Sequence, residues 1–354
     1  MRKLVPLLTL GLAVPFAAHA AVPTLDDVLT ASGISAAGYV SGSYTYGFNR
    51  GSTLFARAFD TQANSFTLNQ AALTLSKLPA SGFGGLVNVI AGDDASVING
   101  SYGDGSGKFN LTQAYVQYAT GGLTLIGGRF VTLAGAEVIN DTQNTNISRS
   151  FLFVAAEPLV HTGVRATYKV SDALSVVGGV NNSAASGQAT DNNTHKTGEL
   201  GFIVAPLSNL TISVVDYYGL EQSGNNQRTN FLDAVVAFQA TKALQLVVNA
   251  DWVRTWHPGG GQISGIAAYA NYQICDRLKS SLRVEYVGAS SGGVSGPDAK
   301  EITLTLDYAP AKNFDLLGEV RLDRSDRNIF PDGANPNKNH DGDLALKAIY
   351  KFGG

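Results

Sequence analysis

Alternation dominates this chain. From Ala243 to Val253, the residues Leu244, Leu246, Val248, Ala250 and Trp252 share one parity, while Gln245, Asn249 and Asp251 share the other. A strand sends successive side chains to opposite faces, so such a stretch is a strand with one apolar and one polar face. Ile302, Leu304, Leu306 and Tyr308 stand in the same way against Glu301, Thr303, Thr305 and Asp307. Sixteen such segments can be traced, beginning near Ile34, Ser65, Gly84, Asn110, Gly122, Val160, Ala173, Lys196, Asn209, Gln227, Ala243, Gln262, Arg277, Lys300, Asn313 and Asp343. Fusing or dropping the weakest hairpins would give fourteen or eighteen. Most segments run to about ten residues, the length with which a tilted strand crosses a bilayer. Parity changes near Gln70, as at a bulge, and Val214-Val215 blurs the segment from Asn209 to Leu220.

The connections are sorted. Long ones (Arg50 to Asn64, Asp94 to Phe109, Thr132 to Leu159, Ser183 to His195, Gly288 to Ala299, Arg324 to Gly342) alternate with short ones such as Thr120-Gly121, Thr241-Lys242 and Cys275-Asp276. Short turns at one end and long loops at the other are the pattern of an outer-membrane barrel, and a soluble sandwich has no reason to adopt it. Aromatic residues gather toward segment ends (Tyr44, Tyr46, Phe48, Tyr118, Phe130, Tyr217, Tyr218, Trp252, Trp256, Tyr286, Tyr308, Phe352), which suits two interfacial girdles.

The N-terminus is of another kind. Arg2-Lys3, the apolar run Leu4 to Ala17 and the small-residue site Ala18-His19-Ala20 form a secretory signal peptide, residues 1–20. No later window holds ~18 uninterrupted apolar residues, so no helix is expected to cross a membrane. Residues 21–33 form a short periplasmic segment, with Thr24 before Asp26-Asp27 as a helix start. The barrel then occupies 34–354. Charged residues make up 15% of the chain and the pI is near 5.9, which argues against a nucleic-acid binder. One cysteine, Cys275, cannot form an internal disulfide.

The signal peptide, the alternating strands, the sorted loops and the final Ala348-Ile349-Tyr350-Lys351-Phe352 together resemble Gram-negative porins. More narrowly, Gly38-Tyr39-Val40-Ser41-Gly42-Ser43-Tyr44, Phe66-Thr67-Leu68-Asn69-Gln70-Ala71 and Ser148-Arg149-Ser150-Phe151-Leu152-Phe153 resemble the beta-barrel porin-2 (OmpL-like) family. One departure is that Gly353-Gly354 follow Phe352. The resemblance implies an all-β transmembrane antiparallel barrel in the bacterial outer membrane, with passive diffusion of small hydrophilic solutes or ions and no chemistry. Its partners would be outer-membrane lipids and the solutes, with a homotrimer as in general porins. The alternative is a surface adhesion or structural protein on an occluded barrel. The polar parity supports an aqueous lumen, because sixteen strands are too wide to fill with side chains and buried charges without water cost several kcal/mol each.

Loop 132–159 carries the candidate site. General porins fold the corresponding loop inward, and the run Phe151 to Val154 would be unusual in an exposed loop. The expected constriction sets Glu137, Asp141, Arg149 and Glu157 of this loop against a wall of Arg129, Arg165, Arg283 and Arg321, a transverse field that orders polar solutes. Other motifs fall short. Asn337-x-Asn339-x-Asp341-Gly342 lacks the closing Glu of a calcium loop. Gly103 to Lys108 is misspaced for a phosphate loop. His161, His195, His257 and His340 form no metal-spaced pair, and His161 near Ser148 and Ser150 has no ordering carboxylate. No catalytic, cofactor or metal residues are therefore expected.

Overall fold

The structure, a computed structural model, describes residues 24–353 apart from 103–104, 184–190, 192, 222–226 and 257–259. The proposed signal peptide, Gly103, Asp104 and His257 lie outside the described residues. The N-terminal unit holds one helix, α1 (Leu25–Ser32). Thr24 caps it in a reciprocal box with Asp27, and Gly33 ends it at φ +68°.

Alternation then becomes a closed barrel. Its first eight strands are β1 (Ser35–Gly47), β2 (Ser65–Lys77), β3 (Gly82–Ala91), β4 (Phe109–Thr120), β5 (Leu123–Val131), β6 (Val160–Ser171), β7 (Leu174–Asn181) and β8 (Thr197–Leu207). The next seven are β9 (Leu210–Leu220), β10 (Arg228–Gln239), β11 (Leu244–Trp256), β12 (Gly261–Cys275), β13 (Leu278–Ser291), β14 (Val294–Ala311) and β15 (Phe314–Ser325). A small hairpin, β16 (Phe330–Asp332) and β17 (Asn335–Lys338), precedes β18 (His340–Gly353). β18 pairs antiparallel with both β15 and β1, so sixteen strands close the ring and leave no edge.

Strand starts agree with the expectation within three residues, except β14, which was expected near Lys300 and begins at Val294. There the supposed loop Gly288 to Ala299 is a continuing hairpin: Ser291 pairs with Val294 across Gly292-Gly293, both at positive φ as a two-residue turn requires. The register shift at Ser41/Gly42 leaves Asn69 without a partner, which is the bulge signalled by the parity change near Gln70. Val214-Val215 is no bulge, since β9 keeps register with β10.

Outward positions are apolar and exposed (Leu282, Leu304, Leu322, Leu346), with Tyr46, Tyr218, Trp256 and Tyr308 among the exposed aromatics. Phe130 and Tyr217 depart from the girdle expectation: both are buried inside the barrel. The inward face of β13, β14, β15 and β18 is a charged lattice. Register aligns Glu285, Glu301, Asp323 and Asp341 in one row and Arg283, Thr303, Arg321 and Asp343 in the next. Acids directly opposite one another repel, and the arginines one step along the strands offset that repulsion.

Candidate functional site

Among the described residues, four connections stand out for their buried or structured segments. L1 (48–64) buries Leu54 and Phe59, L2 (92–108) carries helix α2 (Asp93–Tyr102), and L8 (326–339) holds the β16–β17 hairpin with Phe330 fully buried. L3 (132–159) contains a 3-10 turn (Asp141–Gln143) and helix α3 (Phe151–Ala155). The run Phe151 to Phe153 is buried, and its partners explain why L3 lies inside. Phe151 and Leu152 pack with Ala267, Tyr269, Val287 and Phe330, while Phe153 and Ile147 join Tyr39, Phe59, Ile90 and Ile98. Leu133, Ala134 and Ala156 meet Val215, Tyr217 and Phe231. This contact is why Val215, Tyr217 and Phe231 are apolar or aromatic on an otherwise polar parity.

Polar groups fix the loop along its whole length. Ile147 and Ser148 N–H donate to Glu319 at 2.6 and 2.9 Å, and Phe151 and Leu152 N–H donate to Glu285 at 2.6 and 2.7 Å. Glu285 thus takes the free amides that open α3, beside the Ser150 cap. Arg283 lies between Glu137 and Glu301, at 2.6 Å from each. Arg321 donates to the Arg149 carbonyl at 2.6 Å and pairs with Asp323 at 2.7 Å. Asp141 accepts from Arg149 at 3.0 Å, Lys347 at 2.9 Å and Ser41 at 2.7 Å. Burial alone would raise the Asp141 carboxyl, but Lys347 and then Arg149 hold it below the ordinary carboxylate range.

The expected residues therefore gather in two groups. Arg283 and Arg321 touch L3 directly, as do the loop's own Glu137, Asp141 and Arg149. They meet it as ion pairs and hydrogen bonds, and not as charges facing across an open gap. Arg165 lies elsewhere, on β6. It binds Glu199 at 2.8 Å, and its guanidinium lies 4.3 Å from the Phe130 ring centre. Arg129 on β5 is half-buried, opposite Ala114 and Thr162. Glu157 is buried on the returning limb of L3.

Several site residues escaped the sequence reading. Arg57 of L1 is fully enclosed by Asp60, Asp323 and Asp343, at 2.8, 2.9 and 2.5 Å. A loop residue carries no periodic signal, so nothing marked it. Lys347 of β18 alternates with the outward Leu344 and Leu346, a pattern that places it inward but does not tell that it meets Asp141. His161 stacks on Tyr217 at 4.6 Å and contacts the Ser183 carbonyl at 3.1 Å, while Ser148 and Ser150 serve Arg283 and α3. Asn337 to Gly342 lies in β17 and β18, and Lys338 pairs with Asp332 at 3.0 Å. Among the described residues, no group of His, Cys, Asp or Glu is placed to hold a metal ion.

Open space lies on two sides of L3. Below it, a vestibule of about 460 Å³ is lined by Asp141 to Thr145 and by wall residues including Gln245, Asn271, Lys279, Asp307 and Lys351. Beside it, a slot of about 250 Å³ separates Glu137 to Asn140 and Gln143 from Thr74, Asn88, Thr112 and Gln113 of β2–β4. Gln143 borders both spaces, and Glu137 is the one charged side chain lining the slot among the described residues.

The barrel has relatives of known structure. Vibrio cholerae OmpT in its trimer form superposes with a TM-score of 0.66 at 12% identity, covering 90% of this chain and 99% of that one. The outer-membrane channel DcaP of Acinetobacter baumannii gives 0.63 at 13% identity, covering 90% and 97%. An anion-selective porin from Comamonas acidovorans gives 0.62 at 11% identity, covering 90% and 99%. At these identities the likeness is one of fold. Curated protein sequences offer no match. The family model described as "Putative beta-barrel porin-2, OmpL-like" matches residues 33–352, nearly the whole barrel. The chain thus belongs to the OmpL-like beta-barrel porin-2 family of the bacterial outer membrane.

Proposed function

We propose that the protein is a diffusion porin whose constriction is the slot between L3 and β2–β4. The observation that carries this is the pair of spaces, both bordered by Gln143, around a loop fixed inside a sixteen-strand barrel. Small polar solutes or ions enter past L1 and L8, cross the slot beside Asn140 and Gln143, and leave through the vestibule. Glu137, Asp141, Arg149, Arg283 and Arg321 hold the loop that forms one lip of the constriction. Arg129, Arg165 and Glu157 act nearer its stem. The slot lining is mostly amide, hydroxyl and aliphatic, which suits weakly selective passage. The work is that of a channel and not of an enzyme. The trimeric form of V. cholerae OmpT supports a homotrimer here too.

The test is single-channel conductance of refolded protein beginning at Ala21 in a planar bilayer. Discrete open steps are expected. A silent but heat-modifiable barrel would reject the channel and favour an occluded barrel that presents its surface loops.

A further inference from the structure

We propose that the returning limb of L3 is fastened by a carboxyl seam, Glu157 with Asp233 of β10 and Asp251 of β11, which stays closed while it holds protons and opens in alkaline medium. The inference rests on L3 being the constriction. Asp233 and Asp251 stand directly opposite each other in register, where like charges repel. Asn249 Nδ2 donates to both, at 2.8 and 3.1 Å, which leaves Asp233 Oδ1 and Asp251 Oδ2 unsatisfied. Glu157 arrives from the loop with neither carboxylate oxygen hydrogen-bonded. The three residues are 5%, 0% and 4% exposed, in the order Glu157, Asp233, Asp251. Gly135 of the outgoing limb, at φ +88°, completes the enclosure, and a side chain there would collide with the Glu157 carboxylate.

Acids and a hydroxyl gather around Glu157 from the wall and from the loop itself. Asp251 and Asp233 act on it most, then Glu137 of L3 and Glu285 of β13, and Tyr269 of β12 faces it with an unsatisfied hydroxyl. Arg283, the guanidinium of β13, is already engaged by Glu137 and Glu301. Three buried carboxylates with no ion-pair partner among the described residues cannot all stay ionised. With no metal-holding geometry among the described residues, the proton remains, and it needs no space. A protonated carboxyl also becomes a donor, which turns orphaned acceptors into partners. Burial first, and then Asp251 and Asp233, raise Glu157 well above the ordinary carboxylate range. A carboxyl raised in the docked state gives its full stabilisation below that ordinary range, and loses it as pH climbs through the raised value. Pro158 and Leu159, next along the chain, line the slot, so loosening at Glu157 reaches the constriction.

The experiment places a nitroxide at Val154→Cys, an exposed α3 position, in a Cys275→Ser background. Label mobility in lipid vesicles and single-channel conductance are both read from about pH 6 to about pH 10. Both should rise with pH. Glu157→Gln, a loop substitution that leaves the strands intact and is permanently neutral, should hold both flat, as should Asp233→Asn. Mobility independent of pH, or the same rise in Glu157→Gln, would overturn the seam. A label that loosens with pH in a protein that never conducts would uphold the seam and reject the channel.

Discussion

The two flanks of L3 are built from different chemistry. Toward β13–β15 and β18, the loop meets buried charges: Arg283, Arg321, Glu319 and Lys347 all bind it. Toward β2–β4 it faces Thr74, Asn88, Thr112 and Gln113 across open space. Charge here does structural work, and the wall across the slot is lined by neutral groups. Water explains the division. An ion pair enclosed by L3 is strong enough to hold a loop only because water is excluded, whereas charges lining an open slot would be screened and would bias which solutes pass. The cost is a surplus of acid. Among the described residues, sixteen buried carboxylates accompany six buried cations, so several acids rely on amides, hydroxyls or protons in place of cations.

The sharpest way to break this contrast is Arg283→Ala. It leaves Glu137 and Glu301 buried without their shared partner, and removing one member of such a group costs about 3–5 kcal/mol. The temperature at which the barrel loses its heat-resistant gel migration should fall, and conductance should rise as L3 loosens. Arg283→Lys should recover only part, because a point charge cannot serve Glu137, Glu301 and the Ser148 carbonyl together. If neither variant differs from the native protein, the charged flank is not what holds the loop.

The barrel was legible because membrane strands obey a period of two with few exceptions, and loop length sorts with it. Even the bulge at Asn69 left its trace as a parity change. The candidate site was legible only in its parts. Length and the buried run at Phe151 marked L3 as internal, and inward parity marked Arg283 and Arg321. The pairing was not legible, because which wall residue meets Glu137 or Asp141 depends on barrel shear and on the path of the loop, and neither is periodic. Phe130 and Tyr217 were assigned to the girdle because an aromatic near a strand end reads alike on either face. Their inward position follows from Arg165 and from L3, which no local pattern records.

The open flank is sharpened by Gln143, which borders slot and vestibule and whose side chain takes no part in the loop's hydrogen bonds given above. Gln143→Trp should reduce single-channel conductance with unchanged heat resistance. Gln143→Arg should move the reversal potential under a salt gradient toward anions. A fall in heat resistance comparable to that of Arg283→Ala would show that the open flank is structural too, and the division between the flanks would fail.

Smaller effects come from β2 and its neighbour β1, between the two flanks, where Asp94 of α2 accepts from Gln70 at 2.8 Å and from Asn69 at 3.3 Å. Burial, and then the charge of Asp141, push Asp94 up to about 7. Its contribution to holding α2 is therefore complete in acid and is lost as pH rises from the ordinary carboxylate range through about 7. Asp94→Asn should flatten that portion of the pH dependence of heat resistance and leave the rest. Ser41→Ala should do least. It removes one of three donors to Asp141 and should cost about 1 kcal/mol, with conductance unchanged. A conductance change from Ser41→Ala larger than that from Gln143→Trp would mean that solutes pass along the β1 side of the loop, where the ion pairs are, and would reverse the roles of the two flanks.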